Sequence, residues 1–173
     1  MPAQADRAIS LSWDGLMALC RHLALRVRST YDPDVVVGIA RVGILPATLI
    51  ALLLRRDVHS LRVPVPHLPA TLPSHLPSPE VIEGRRVLLV DEVAPGGQTL
   101  QRAAEALLHI GAREVRTLVL FSTPHGARAD YSGPQATVMV LQPWIREVAI
   151  VDAAVRNGGG GADARSDPRP ILG

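Results

Sequence analysis

Two short stretches are apolar at every position: Val35-Val36-Val37-Gly38-Ile39-Ala40 and Val87-Leu88-Leu89-Val90. A strand with one wet face alternates apolar and polar residues. A run without alternation belongs to a strand covered on both faces, the setting of a parallel sheet between layers of helices. Each run leads into a glycine-containing loop and then a helix pattern. The first helix pattern spans roughly Leu45 to Arg55, with Pro46 in its first turn, where no backbone donor is needed. The second spans about Thr99 to Ile110, with Leu100, Ala103, Ala104, Leu107 and Leu108 inward and Gly111 closing it. The chain of 173 residues suits one domain, and with only 3% aromatic residues its core must be aliphatic.

The remaining stretches extend this pattern. Residues 1–10 read as a loose start. Ser12 then precedes Trp13, Leu16, Met17, Cys20, Leu23 and Val27, one face of a helix with Ser12 as its N-cap. Val58 to Val65, Val115 to Phe121 and Val138 to Leu141 read as further strands. Val148 to Val155 fits helix and strand equally. The six prolines between Pro64 and Pro79 exclude a regular element and predict a long loop of the kind that forms lids, about residues 64–80. The glycine run from Gly158 predicts a flexible tail over 157–173. The expectation is an α/β fold: a mainly parallel sheet flanked by helices, within one domain over residues 1–156.

Composition excludes several functions. All 18 basic residues are arginine, so Schiff-base, catalytic-lysine and P-loop-lysine chemistry are absent. Net charge is only +2, and the high isoelectric point follows from guanidinium, which hardly titrates. Arg21, Arg26 and Arg28 cluster on the first helix, but a solvated helix face explains them more simply than nucleic acid does. Cys20 is the only cysteine, so no disulfide forms within the chain, as in a reducing cytoplasm. It lies on an apolar stripe and reads as a core residue. No secretory signal pattern opens the chain, and the longest apolar stretch, Val42 to Leu54, is too short to span a bilayer. The histidines show no metal-ligand spacing.

The chemistry concentrates at the carboxyl ends of the two apolar strands, where ligands sit in parallel sheets. Asp91 and Glu92 end the second strand and are expected to face the crevice. Ala94, Pro95, Gly96, Gly97, Gln98 and Thr99 follow. The glycines admit a close backbone approach, and the helix opening at Thr99 aims amides at the same spot, a cradle for a phosphate dianion. Neighbouring carboxylates suit sugar hydroxyls, or a Mg2+ ion shared with them. Together they point to a phosphorylated sugar.

The segment VLLVDEVAPGGQTL, Val87 to Leu100, resembles the phosphoribosyl-diphosphate signature of type I phosphoribosyltransferases. Three more segments resemble that family in the same order. They are Ser12-Trp13-Asp14 with Pro33-Asp34, then VVVGIARVGILPA, then Asp130-Tyr131-Ser132-Gly133 with Pro143-Trp144, which is similar to the hood of the xanthine–guanine branch. The resemblance spans about residues 10–150 and implies a hood at about 122–150 and a lid at about 64–80. It implies that Asp91 and Glu92 hold the ribose hydroxyls, directly or through Mg2+, as the catalytic and metal-binding pair. Ala94 to Thr99 would cradle the 5-phosphate, Arg41, Val42 and Gly43 would form the pyrophosphate loop, and Thr123, Trp144 and Ile145 would meet the acceptor. It also implies a homodimer.

The departures from the family pattern bear on the acceptor. Pro95 stands where the family has an acid assigned to proton transfer at the purine. Gly96 replaces a threonine, Val42 replaces a glycine in a loop whose backbone is often strained, and Thr123 replaces a lysine that reads the 6-oxo group. The expected function is phosphoribosyl transfer to a ring other than an ordinary 6-oxopurine. The alternative is a non-catalytic protein that senses a phosphoribosyl ligand.

Overall fold

A computed structural model describes residues 8–63, 75–124, 126 and 128–157. The elements follow in chain order: β1 (Ile9–Ser10), α1 (Trp13–Thr30), β2 (Val35–Ile39), α2 (Ile44–Leu54), β3 (Asp57–Leu61), β4 (Arg86–Val93), α3 (Gln98–His109), β5 (Glu114–Phe121), β6 (Tyr131–Ser132), β7 (Val140–Leu141) and α4 (Pro143–Asn157). A 3-10 turn at Pro79–Val81 leads into β4. Five strands form a parallel sheet in the order β3-β2-β4-β5-β6. The two apolar runs are its adjacent central strands, paired from Val35 opposite Val87 to Gly38 opposite Val90.

Burial on both faces explains the unbroken apolar runs. One face carries Val36, Leu88, Val90, Leu118 and Leu120 against Leu16, Cys20, Leu23 and Val27 of α1 and Ala47 and Ile50 of α2. The other carries Val35, Val37, Val87, Leu89 and Val119 against Leu100, Ala103 and Leu107 of α3. Ser12 caps α1 as expected, accepting from the Gly15 amide at 3.0 Å. Below the sheet, Asp34 clasps the start of β4: it accepts from the Arg86 backbone N–H at 2.8 Å and from its guanidinium at 3.1 Å.

Four expectations change. The chain start is not wholly loose, because β1 pairs in parallel with β7, Ile9 opposite Val140, as a separate two-stranded sheet. Such pairing joins segments far apart in the chain and leaves no local signal. Val148 to Val155 lies within the helix α4. Strand β3 stops at Leu61 rather than Val65, and Arg62 then bridges His75 in the antiparallel sense. Strand β4 does not end at the acids but runs through both to Val93, which pairs with Phe121. Most of the expected lid (residues 64–74) and of the expected tail (residues 158–173) lie outside the described residues.

Candidate phosphosugar site

The carboxyl ends of β2 and β4 converge through one glycine. Residues 40–43 turn between β2 and α2, with the Gly43 N–H donating to the Ile39 carbonyl at 2.9 Å. A Cβ on Gly43 would stand 2.6 Å from that carbonyl oxygen, 2.8 Å from the Val90 oxygen and 3.1 Å from Asp91 Cα. Only glycine allows the expected pyrophosphate loop to lie directly on the strand that carries the acids. The Ala40–Arg41 peptide bond is cis. Arg41 is exposed and Val42 is 46% exposed, so Val42 does not fill the crevice. Nor does it take a positive φ; among the described non-glycine residues only Arg55 does.

The two acids do not face one crevice together. Successive strand residues point to opposite faces, so neighbours inside β4 cannot share one. Asp91 is 7% exposed and its Oδ1 accepts from the Glu92 N–H at 2.8 Å. Burial pushes the Asp91 carboxyl up to about 7; that hydrogen bond opposes the shift and the Glu92 charge adds to it. Glu92 is half-buried. Burial raises its pKa too, and the nearby Gln142 side chain pulls it down while stopping short of hydrogen-bond geometry.

Past the acids, Ala94 is buried and Pro95 and Gly96 are exposed. Gly97 takes φ +70° and opens α3, which no side chain caps. The helix-opening amides are therefore free to meet an anion. Gln98 and Thr99 sit exposed in that first turn, and a cleft of about 270 Å³ opens beside Gly96 and Gly97, reaching Thr117 and Arg128. A larger cavity of about 430 Å³ lies along β3, lined by Ile44, His59 and His75 among others, and contains no carboxylate.

The residues expected to meet the acceptor lie after β5 and in the first turn of α4. Thr123 is half-buried, and a Cβ on the nearby Gly126 would stand 2.8 Å from the Ala94 carbonyl, so this turn packs against the segment that follows β4. Trp144 packs on the core of the α1–α2 face and Ile145 is 46% exposed. Gln142 was not anticipated. It is 2% exposed, beside Glu92, and among the described residues neither Nε2 nor Oε1 meets a hydrogen-bond partner. Leaving a buried polar group unpaired costs about 1–3 kcal/mol. The signal in the sequence was a glutamine ahead of Pro143-Trp144 in an otherwise apolar stretch.

As for Mg2+, the described residues contain no cluster of three or more potential ligands. Mg2+ commonly takes one or two carboxylates and completes its shell with water and substrate phosphates. Half-buried Glu92 fits that mode, whereas Asp91, buried on the opposite face of β4 and bound to the Glu92 N–H, does not join it, so the expected metal-binding pair is not brought together.

The family model described as Phosphoribosyl transferase domain matches residues 11–154. The Bifunctional protein pyrR of Enterococcus faecalis is 32% identical over 142 residues, covering 80% of this chain and 71% of that protein. The Transcriptional regulator GfcR of Thermoplasma acidophilum is 28% identical over 95 residues, 55% of this chain and 46% of that protein. The purine phosphoribosyltransferase from Pyrococcus horikoshii superposes with a TM-score of 0.66 at 27% identity, covering 79% of this chain and 93% of that one.

Proposed function

Since the chain belongs to the phosphoribosyltransferase family, we propose that it binds phosphoribosyl diphosphate and transfers its ribose 5-phosphate to a ring acceptor other than an ordinary 6-oxopurine. The observation that carries this reading is the contact of Gly43 with β4, which puts loop 41–43, the acids and the Gly96–Gly97 turn at one end of the sheet. In this reading the amides opening α3 hold the 5-phosphate, with the Thr99 hydroxyl beside them. Loop 41–43 holds the pyrophosphate. Glu92 accepts the ribose hydroxyls, and Asp91, buried behind it, anchors the strand backbone. Mg2+, when bound, would be held by the Glu92 carboxylate with substrate oxygens and water, and would offset charge on the departing pyrophosphate. Breaking the anomeric bond needs charge stabilisation more than a base, so Pro95 does not forbid transfer to an acceptor that is already nucleophilic.

The reading includes a homodimer. Helix α2 is apolar on all sides and leaves Leu52 70% exposed, and α4 leaves Val155 73% exposed. A second copy is the covering such surfaces fit. It also includes a cytoplasmic setting: Cys20 is free, and no described helix is long and apolar enough to cross a membrane.

Pro95 favours a second reading, a regulator that senses a phosphoribosyl ligand without turnover, and one relative is itself a transcriptional regulator. Calorimetric titration with phosphoribosyl diphosphate and with ribose 5-phosphate, each with and without Mg2+, tests the donor site. Mg2+-dependent binding of the diphosphate is expected. Binding of neither compound would overturn both readings. Release of pyrophosphate with some ring acceptor separates transfer from sensing.

A further inference from the structure

Arg128 is the one charged side chain among those lining the cleft of about 270 Å³ beside Gly96 and Gly97. No acid lines that cleft, and none stands in the first turn of α3. Arg128 is exposed, and among the described residues no acid forms an ion pair with it. An arginine on an open surface is simply solvated. This one borders a concave surface whose other wall is the turn and the first residues of α3.

The backbone that carries Arg128 is anchored on both sides. Two residues on, Asp130 Oδ2 accepts from the Thr117 N–H at 2.7 Å and from its hydroxyl at 2.8 Å, and the Asp130 N–H donates to that hydroxyl oxygen at 3.0 Å. Thr117 is itself part of the cleft wall. Two residues earlier, Gly126 lies so close to Ala94 that a Cβ there would stand 2.8 Å from the Ala94 carbonyl. One anchor is on β5 and the other just ahead of the Gly96–Gly97 turn, so the side chain is what a ligand would have to order. All 18 basic residues are arginine, so a cation in this place can only be a guanidinium, whose fork matches two oxygens of one phosphate.

We infer that Arg128 is a phosphate-binding residue of the donor site, its guanidinium closing across the cleft on the 5-phosphate and making the site select a phosphorylated pentose. The inference rests on the donor-binding reading above and adds to it a cation from outside the glycine turn. The physical need is charge. Helix-opening amides carry only partial charges, about +0.5 in all, whereas a phosphate monoester carries about −1.5 to −2 at neutral pH. A guanidinium across the cleft supplies much of the balance.

The test compares Arg128→Gln and Arg128→Lys with the wild type by calorimetric titration with ribose 5-phosphate, phosphoribosyl diphosphate and inorganic pyrophosphate, each with Mg2+, and by thermal melting. Arg128→Gln should melt with the wild type, because the side chain has no described ion pair to lose. It should bind the phosphoribosyl compounds about tenfold more weakly, the loss of one charge-assisted hydrogen bond, and bind pyrophosphate as the wild type does. Arg128→Lys should recover part of the loss, since it keeps the charge without the fork. Unchanged affinity for the phosphoribosyl compounds in Arg128→Gln would make Arg128 a solvated surface residue and overturn the inference while leaving the donor site standing. An equal loss for pyrophosphate would overturn it as well, because the effect would then not belong to the 5-phosphate. A wild type that binds neither phosphoribosyl compound would overturn the functional reading and this inference with it. If Arg128→Gln melts lower, the Arg128 Nε–H resonance of the wild type decides. A shift on adding phosphoribosyl diphosphate that pyrophosphate does not produce supports the contact, and a resonance that stays in place refutes it.

Discussion

Asp91 Oδ1 accepts a hydrogen bond from the backbone N–H of Glu92 at 2.8 Å, so the first acid of the pair is buried and tied to the backbone of the second. That bond survives replacement of the carboxylate by an amide, because asparagine would still present a side-chain carbonyl at this position. The charge does not survive. In the folded chain the Asp91 pKa is about 7 against 3.8 for the ordinary group. A raised carboxyl pKa contributes stability that is fully present below the ordinary value and is lost as pH rises toward about 7. Denaturation of the wild type should therefore show this group's stabilisation falling between about pH 4 and 7, by up to a few kcal/mol. Asp91→Asn should lack that fall and be the more stable protein at about pH 8. A wild type and variant with parallel pH profiles would refute this.

Gly43→Ala should damage both fold and site. Its methyl would press on the Ile39 and Val90 carbonyls and on Asp91 Cα, all backbone, which cannot rotate away. We expect a loss of about 1–3 kcal/mol and a displaced loop 41–43. Chemical denaturation reads the first effect and donor affinity the second. A variant with wild-type values in both would contradict the close approach.

Asp34→Ala should cost about 1 kcal/mol near neutral pH, a figure reduced for the partial exposure of both partners. The hydrogen bonds from Arg86 hold the Asp34 carboxyl below its ordinary pKa. A lowered carboxyl pKa gives stability that is present above the ordinary value and lost as pH falls through the depressed one. The gap between wild type and variant should narrow in acid, as urea midpoints at neutral and acidic pH would reveal.

Cys20 should resist thiol reagents in the native protein. It is fully buried and burial pushes its thiol up to about 11, so almost no thiolate exists at neutral pH. One equivalent should react on addition of denaturant. Rapid labelling without denaturant would place α1 differently.

Pro95→Asp should not by itself create hypoxanthine or guanine transfer. Pro95 is exposed on the loop between β4 and α3, while Thr123 belongs to a separate turn that packs on Ala94 and lacks the reach of a lysine. A pyrophosphate-release assay with each purine checks this, and robust turnover would mean that Thr123 does not bar a 6-oxopurine.

Much of this molecule was readable before any coordinates. The central strands, the three helices α1 to α3 and the loops at the strand ends all follow from local pattern. An apolar run without alternation can only be satisfied between two layers, and Ser12 ahead of the α1 stripe marks where a helix begins. The acids and the glycine turn were legible because their chemistry is carried by neighbours in sequence. The short pairings were not: β1 with β7 and β5 with β6 join two residues to two, and their stability comes from distant segments.

The sequence alone therefore determined the layered parallel sheet, its glycine-bearing loops and the residue types gathered at its carboxyl end, since periodicity and turn chemistry act over a few residues. Tertiary structure alone decided how those residues divide the work. That β4 runs on past its acids depends on β5 beside it, and this pairing separates a buried Asp91 from a half-buried Glu92. That Gly43 rests on Val90 and Asp91, and that Gln142 lies beside Glu92, depends on segments far apart in the chain meeting in a close-packed interior. Burial and orientation are properties of that meeting, and no local pattern encodes them.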